Sequence, residues 1–414
     1  MIIDSSVYSG PCLCGRDHPM ATKMAIVEPG CLENLDEYIA KCGLSGFRAV
    51  IYDENTYAAK GMIHPHGDQE IILAPEGLHA NEHGVALVME QLSDQAEYLI
   101  AVGSGTIHDL TRYCAYLKNI PFVSCPTAAS VDGFCSSVAA MTWEGAKKTL
   151  TAVAPLLVVA DLNVISAAPA FLALSGFGDM IGKYIALTDW RIARDLKGEF
   201  YCSRIAQIME QATQDILSCA DGIAAGDPAA FEKLMGGLLL SGIAMQMLGN
   251  SRPASGAEHH ISHLIEMEPE SLGVHTEALH GEKVGVGTIL AAREYHRLAS
   301  LPDDSWGDYP GIPAEEIQSI FGERLSRQIQ EENRADSAAG ITGQRIRVCL
   351  PLLRQEISKI PAADDLLEVY RRIGAKSTLE DIQVPPELES LLPVYSPMVR
   401  NRLTLMRLRR CLKQ

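Results

Sequence analysis

The sequence has little basic charge, no long apolar run and no paired cysteine spacing. Of its 414 residues, 35 are Lys or Arg and 52 are Asp or Glu, which gives a formal net charge of −17. So acidic a surface repels phosphate backbones and anionic lipid heads, and we therefore expect no nucleic-acid or membrane-surface binding. An anionic substrate would need a locally positive pocket, which a bound metal ion could supply.

The apolar runs and the cysteines argue against the membrane and secreted classes. The longest apolar run, residues 234–249, is too short and too rich in glycine for a spanning helix. The 11 cysteines are scattered, and the first ten residues lack a basic region followed by an apolar stretch. We therefore expect reduced thiols and a cytoplasmic protein.

The pattern of apolar residues changes near residue 165. Before it, short apolar runs alternate with helix-like patterns, which predicts a parallel sheet covered on both faces. The predicted strands lie at residues 24–30, 48–53, 97–105, 120–127 and 156–162. After it, apolar residues recur at intervals of three and four, which predicts helices alone. We expect an α/β domain over residues 1–165 and an all-helical domain over residues 166–414, with the site in the cleft between them.

Three of the 12 histidines lie within five positions, at His259, His260 and His263. On a helix, His259 and His263 share one face while His260 points elsewhere. His280 opens a second helix-like pattern, and Asp179 is an isolated carboxylate on an apolar helix face. Imidazoles with one carboxylate are typical ligands of a catalytic divalent metal, although histidines that are hydrogen-bonded in a core remain the alternative.

A glycine-containing turn follows the third predicted strand, in AVGSGTIHD at residues 101–109. Gly103 and Gly105 would let backbone N–H groups approach a pyrophosphate at a helix start. Position 108 is His, so the stretch is not the G-x-G-x-x-G fingerprint, and a plain strand-to-helix turn is the alternative. Asp53 and Asn55 follow one strand and PTAASVDGFCSS follows another, and ligands bind at such strand ends.

Five motifs occur together in a characteristic order: GSGTIHD, PTAASVDG, GFGDMIGK, SGAEHHISH and ALHGEKVGVGT. In this order the chain resembles the sn-glycerol-1-phosphate dehydrogenase family, within the superfamily that includes glycerol dehydrogenase and 3-dehydroquinate synthase. The resemblance runs from about residue 20 to the end and implies the dehydroquinate synthase-like fold. It also implies a cofactor site and a metal site that face each other across the cleft.

The resemblance assigns ligands to both sites. It implies that NAD, or NADP, is bound by Asp53, Gly105, Thr106, Ile107, His108, Asp109, Thr127, Ala128, Ala129, Ser130 and Ser136. It implies that Asp179, His259 and His280 hold one divalent metal ion, which is zinc or nickel in related enzymes. Asp53 favours NADH, since a carboxylate repels the 2′-phosphate of NADPH.

The implied reaction is the reduction of dihydroxyacetone phosphate to sn-glycerol 1-phosphate, the backbone of ether-type glycerolipids. Asp132, Asp179 and His263 would face the substrate, with Asp179 and His263 as catalytic residues and His263 as the proton relay. Arg252 is the expected partner of the substrate phosphate and Lys183 a weaker candidate, while His260 has no assigned role. A homodimer is the expectation for the family.

Three other functions remain open at this point. A glycerol dehydrogenase would share the metal set and lack the phosphate partner. A 3-dehydroquinate synthase-like cyclase is disfavoured, because Met141 stands where that family has lysine and Asp179 where it usually has Glu. A non-catalytic metal-binding protein would use Cys12, Cys14 and His18, but these supply three ligands with no evident fourth, and a surface loop is the favoured interpretation.

Overall fold

The computed structural model describes residues 1–144 and 146–413. The chain forms two compact units, the first of residues 1–177 and 214–250 and the second of residues 178–213 and 251–414. This division differs from the expected boundary after residue 165, because residues 166–177 and 214–250 also belong to the first unit. There the long helix of residues 228–248 buries side chains around most of its circumference.

The first unit is built on a mixed seven-stranded sheet, in the order β1-β4-β11-β8-β7-β5-β6. Strands β4 to β8 and β11 of this sheet run parallel, and β1 pairs antiparallel with β4 at one edge. The strands are β1 Ile2–Asp4, β2 Gly10–Pro11, β3 Asp17–His18, β4 Met24–Glu28, β5 Arg48–Asp53, β6 Gln69–Leu73, β7 Tyr98–Gly103, β8 Phe122–Pro126, β9 Val138–Trp143, β10 Ala146–Thr151 and β11 Leu157–Asp161.

The central strands are buried because helices cover both faces of the sheet. Alternate residues of β5 enter different cores, with Ile51 in one hydrophobic cluster and Val50 in the other. This explains why the strands read as continuous apolar runs in the sequence. The five predicted strands correspond to β4, β5, β7, β8 and β11. The sequence analysis missed the edge strand β6, whose exposure alternates, and the separate hairpin β9–β10.

Helices and the loops between them follow β11, and no strand follows Asp161 in the described chain. The α-helices are α1 Ser5–Tyr8, α2 Leu35–Lys41, α3 Glu54–Tyr57, α4 Glu82–Gln91, α5 Gly105–Lys118, α6 Leu162–Ile165, α7 Ala170–Ile181, α8 Lys183–Lys197, α9 Ser203–Ser218, α10 Ala220–Ala225, α11 Pro228–Leu248, α12 Ala257–Met267, α13 His280–Ser300, α14 Ala314–Glu332, α15 Gly343–Ile357, α16 Ala363–Ile373, α17 Leu392–Tyr395 and α18 Leu405–Leu408. The α/β unit followed by helices confirms the predicted fold class.

One helical stretch, Ala170–Lys197, is apolar and long enough to cross a membrane by length and composition. In the structure, 72% of the most apolar 18 residues of this stretch are buried inside the protein. Three of its charged residues, Asp179, Lys183 and Asp189, are fully buried. These features are those of a core helix in a folded domain.

Candidate active site

Three helices bring Asp179, His259 and His280 together, and all three residues belong to the second unit. Asp179 lies in α7, His259 in the first turn of α12, and His280 is the first residue of α13. One ligand atom from each residue lies within 4.8 Å of the others, and His259 Nε2 is 3.5 Å from Asp179 Oδ1. Asp179 and His259 are buried, while His280 is partly exposed.

Glycines allow α7 and α13 to approach closely enough to form this cluster. A Cβ atom on Gly178 would lie 2.3 Å from the carbonyl oxygen of Gly281 and 3.4 Å from the Cα of Gly285. A side chain at position 178 would therefore force the two helices apart. Asp179 and His280 directly follow and precede these contact points, so the close packing sets their separation.

Each imidazole of the cluster is oriented by its own carboxylate. His259 Nδ1 donates to Glu258 Oε1 at 2.7 Å, and His280 Nδ1 donates to Glu266 Oε1 at 2.9 Å. A carboxylate that accepts from Nδ1 fixes the tautomer and leaves the Nε2 lone pair available as a ligand. Two such imidazoles and one carboxylate are a donor set that fits a divalent metal ion such as zinc or nickel.

A buried ion pair sets the charge of the cluster. Lys183 Nζ donates to Asp179 Oδ1 at 2.9 Å, and both side chains are fully buried. Burial alone would raise the pKa of Asp179, but Lys183 and the hydrogen bond from His259 hold it well below its usual value. Burial opposes the charged form of His259, yet the hydrogen bonds to Asp179 and Glu258 raise its pKa to about 9. The cluster therefore carries a carboxylate that is ionised throughout the neutral range.

The other two histidines of the triplet have different surroundings. The His263 ring lies 6.0 Å from that of His259 and 6.1 Å from that of His280, centroid to centroid. Its buried Nδ1 has no hydrogen-bond partner among the described residues. His260 is fully buried, and burial, with the charge of Arg402, lowers its pKa well below the usual value. His263 therefore borders the cluster, while His260 is a neutral residue of the core.

In the first unit, the predicted nucleotide ligands lie at or just after the carboxyl ends of the parallel strands. The neighbouring strands β5, β7 and β8 are parallel and end at Asp53, Gly103 and Pro126. The Asp53 carboxylate accepts from the backbone N–H of Thr56 at 2.8 Å and caps α3. The backbone of Thr127 is fixed to the end of β7, since its N–H donates to the Gly103 carbonyl at 2.9 Å.

The glycine turn opens α5, with Gly105 as its first residue and Ser104 before it. Thr106 and Asp109 are partly exposed, whereas Ile107 and His108 are buried. His108 Nε2 lies 2.8 Å from Ser124 Oγ, and burial lowers the pKa of this imidazole to about 3. Ile107 and His108 can therefore meet a nucleotide only through their backbone.

The segment after β8 is packed tightly. Thr127, Ala128, Ala129 and Ser130 are all buried. A Cβ atom on Gly176, in the middle of α7, would lie 2.1 Å from the carbonyl oxygen of Ala129, so a side chain at this position would push α7 away from the segment.

Two further predicted residues follow this segment and lie in the same unit. The Asp132 carboxylate accepts from Ser241 Oγ at 2.7 Å, within the first unit. Ser136 Oγ donates to the Val138 carbonyl at 2.9 Å.

Arg252 and Lys183, the two predicted phosphate partners, are each bound to other groups of the protein. The Arg252 guanidinium donates from Nε and Nη2 to Glu199 and from Nη1 to the Leu403 carbonyl at 2.8 Å. Lys183 is engaged by Asp179, as described above. Their roles as phosphate ligands stay predictions.

The sequence analysis missed Glu258 and Glu266, which orient the metal-ligand candidates. Glu258 was visible as an acidic residue directly before His259, and Glu266 as one in the last turn of the same helix. Met141 occupies the position that holds a lysine in 3-dehydroquinate synthases, and its side chain is fully buried in a hydrophobic cluster of the first unit. An aliphatic core residue there cannot supply the phosphate-binding cation of a cyclase.

Comparison with known proteins gives consistent results. The family of iron-containing alcohol dehydrogenases matches residues 26–169. The glycerol-1-phosphate dehydrogenase (NAD(P)+) of Bacillus licheniformis is 34% identical over 406 residues, 95% of this chain and 90% of that protein. The enzyme of the same name from Halalkalibacterium halodurans is 37% identical over 407 residues, 95% of this chain and 94% of that protein.

The fold is similar to that of glycerol dehydrogenase from Schizosaccharomyces pombe. The TM-score is 0.56 at 19% identity, over 87% of this chain and 93% of that one. At this identity the likeness concerns the fold alone. The sequence identity to the two relatives over almost their whole length decides the family: the chain belongs to the glycerol-1-phosphate dehydrogenases.

Proposed function

We propose that the protein reduces dihydroxyacetone phosphate to sn-glycerol 1-phosphate with NADH or NADPH, assisted by a divalent metal ion. The observation that carries this proposal is the cluster of Asp179, His259 and His280, in which a carboxylate orients each imidazole. The names of the relatives that share 34% and 37% of their residues with this chain support the choice of substrate.

Asp179 and the Nε2 atoms of His259 and His280 would hold the ion. When bound, zinc or nickel supplies positive charge that polarises a ketone and stabilises negative charge on its oxygen. In this chemistry the chain's own residues keep the Asp179 carboxylate ionised and hold both Nε2 atoms in position for the ion, which would replace the proton on His259 Nε2. Glu258 and Glu266 orient these two imidazoles by accepting hydrogen bonds from their Nδ1 atoms.

His263 is the residue that we assign to proton delivery. Reduction adds a hydride to the ketone carbon and a proton to its oxygen, and the nucleotide supplies the hydride when bound. The His263 ring lies beside the rings of both histidine ligands, about one side chain away. A neutral imidazole can release a proton from one nitrogen and take one up at the other, so it can relay a proton to the oxygen without storing charge.

The carboxyl edge of the sheet would bind the nucleotide. The N-terminus of α5 at Gly105 offers backbone N–H groups and a positive dipole end to the pyrophosphate. Thr106, Asp109, Thr127 and Ser130 are the side chains that we place along the nucleotide, and Asp53 is placed at the ribose hydroxyls. Asp132 would contact the substrate, and Ser136 would lie at the end of the nucleotide site.

Arg252 remains the proposed partner of the substrate phosphate. We expect Arg252→Ala to raise the KM for dihydroxyacetone phosphate sharply. Because Arg252 also holds Glu199, the matched control is Glu199→Gln, which breaks the ion pair and keeps the guanidinium. A KM that rises equally in both variants, or in neither, would remove Arg252 from the phosphate site.

The first experiment strips the protein of metal, reloads it with zinc or nickel and follows NADH oxidation. The expected result is metal-dependent turnover with a higher kcat/KM for dihydroxyacetone phosphate than for dihydroxyacetone. His280→Ala should abolish it, while His275→Ala is the matched control, because the His275 side chain is 81% exposed and pairs with Glu268, away from the cluster of Asp179, His259 and His280. Preference for dihydroxyacetone would instead indicate a glycerol dehydrogenase, and no turnover with either ketone would contradict the proposal.

The proposed setting is a cytoplasmic homodimer that supplies the backbone of ether-type glycerolipids. Light scattering of the purified protein tests the dimer, since a single chain has a mass of 44.9 kDa. A mass near that of one chain would exclude it.

A further inference from the structure

The N-terminal segment of the first unit forms a small turn that carries two cysteines. Strands β2 and β3 pair antiparallel through Gly10 with His18 and Pro11 with Asp17. Between them, the Cys12 N–H donates to the Arg16 carbonyl at 3.2 Å, and the Gly15 N–H donates to the Cys12 carbonyl at 2.9 Å. Gly15 has a φ of +84°, a conformation that glycine adopts without strain. The turn therefore presents Cys12 and Cys14 on a fixed backbone.

His18 faces this turn with a defined nitrogen. Its side chain is 1% exposed, and its Nδ1 lies 2.8 Å from the carbonyl oxygen of Met247 in the same unit. A carbonyl can only accept, so Nδ1 carries the proton and Nε2 carries the lone pair. Nε2 lies 3.3 Å from Cys14 Sγ. The sequence favoured a surface loop here, whereas the structure buries the histidine.

The two thiols and the imidazole have the separation of ligands on one ion. Ligand atoms of Cys12, Cys14 and His18 lie within 4.8 Å of one another. On tetrahedral zinc, with usual Zn–S and Zn–N bond lengths, a sulfur and a nitrogen lie about 3.5 Å apart. The observed 3.3 Å between Cys14 Sγ and His18 Nε2 is close to that value. The orientation of His18 through its Nδ1 is the arrangement that metal-ligating histidines show.

We propose that Cys12, Cys14 and His18 form a second metal site, which binds zinc and is distinct from the Asp179 cluster. Thiolates are soft ligands and select zinc, while the carboxylate and imidazoles of the other cluster are harder. The fourth ligand of the tetrahedron comes from outside residues 10–18 and is either water or a further protein side chain. The site has a structural role, because it clamps the first 18 residues to the Met247 region of the first unit.

The test measures metal per chain in the full-length protein that has been loaded with zinc and desalted. We expect about two equivalents in the wild type and about one in Cys12→Ser/Cys14→Ser. Cys219→Ser is the matched control, because it removes another half-buried thiol of the first unit and should keep both equivalents. An unchanged zinc content in the double variant would overturn the proposal.

Cobalt substitution identifies the ligands without relying on activity or on the fold of a single variant. Wild-type protein loaded with Co²⁺ should show near-ultraviolet sulfur-to-metal charge-transfer absorption, and His280→Ala should keep it. The double cysteine variant should lose that absorption. If it fails to fold, zinc release from the wild type by a mercurial thiol reagent, detected with a zinc-binding dye, replaces it. Absence of charge-transfer absorption in the wild type, or no zinc release by the mercurial reagent, would exclude thiolate ligation.

Discussion

The His280 imidazole donates through Nδ1 to Glu266, 2.9 Å away, and Glu266 also forms an ion pair with Lys283 at 3.2 Å. Burial would raise the pKa of Glu266, but the positive charge of His280 and Lys283 and the hydrogen bond hold it well below its usual value. An ionised carboxylate on Nδ1 makes Nε2 a better ligand.

We therefore expect Glu266→Gln to weaken metal binding by about 10- to 100-fold, because the amide orients His280 without a negative charge. The measurement is a competition between the metal-free protein and a chelator of known affinity. Glu268→Gln is the control, since Glu268 holds the exposed His275. Equal metal affinities of the two variants would show that Glu266 does not tune the site.

The buried pair of Asp179 and Lys183 predicts a stability effect that is separate from catalysis. Asp179→Asn leaves the Lys183 ammonium buried without its counter-charge, and breaking a buried pair in this way costs about 3–5 kcal/mol. The double variant Asp179→Asn/Lys183→Met should recover much of that loss and remain inactive. The free energy of unfolding of metal-free protein in urea measures both. A double variant as unstable as the single one would mean that the charge of Lys183 is neutralised elsewhere.

Asp53 predicts the nucleotide preference. Its carboxylate would repel the 2′-phosphate of NADPH, so Asp53→Asn should raise kcat/KM for NADPH relative to NADH by about tenfold, equivalent to one surface charge contact. Asparagine keeps the cap that Asp53 forms on Thr56, so the turn should persist. Glu54→Gln removes a charge at the next position and serves as the control. An unchanged ratio in Asp53→Asn would place the ribose elsewhere.

Asp189 predicts a pH dependence of stability. Its buried carboxyl group receives hydrogen bonds from Tyr295 and from the backbone of Leu405 and Ala257. Burial, together with the nearby charge of Glu258, raises its pKa to about 7 despite these donors. Between the ordinary pKa of 3.8 and about 7, the folded chain therefore holds a proton that the unfolded chain does not. The stability from this group is complete below the ordinary pKa of 3.8, decreases as the pH rises from there, and is fully lost above about 7.

Lowering the pH from 7.5 to 5 should therefore raise the free energy of unfolding of the wild type. The rise in Asp189→Asn, which lacks this carboxyl group, should be smaller by about 2–3 kcal/mol. Urea unfolding at both pH values measures the difference. Asp304→Asn, at an exposed position, is the control and should follow the wild type. An identical pH response of all three proteins would mean that Asp189 is ionised across the range.

Much of the fold follows from local patterns. The five central strands were predicted because both of their faces are buried and the apolar runs are continuous. Strand β6 was missed because it lies at the sheet edge, with alternate residues exposed. The return of residues 214–250 to the first unit was missed because helical periodicity does not show which domain a helix packs on.

For the candidate metal site, the sequence indicated the candidate ligands but not the residues that position them. His259 and His280 stood out as imidazoles at helix starts, and Asp179 as a charge on an apolar face. The close approach of Gly178 to Gly281 depends on how α7 packs on α13, which no local pattern specifies. The pairing of Glu266 with His280 spans 14 residues and two helices, so it too needed the structure.

The ion pair between Lys183 and Asp179 also bears on when the protein acquires its metal. Since an internal ammonium already balances the carboxylate, the newly made chain can fold before any ion arrives, without an uncompensated charge in its core. Metal loading would then follow folding, and an incoming divalent ion would compete with the Lys183 ammonium for the Asp179 carboxylate. The metal that the enzyme finally holds would reflect the cellular supply at that moment as well as the geometry of its ligands.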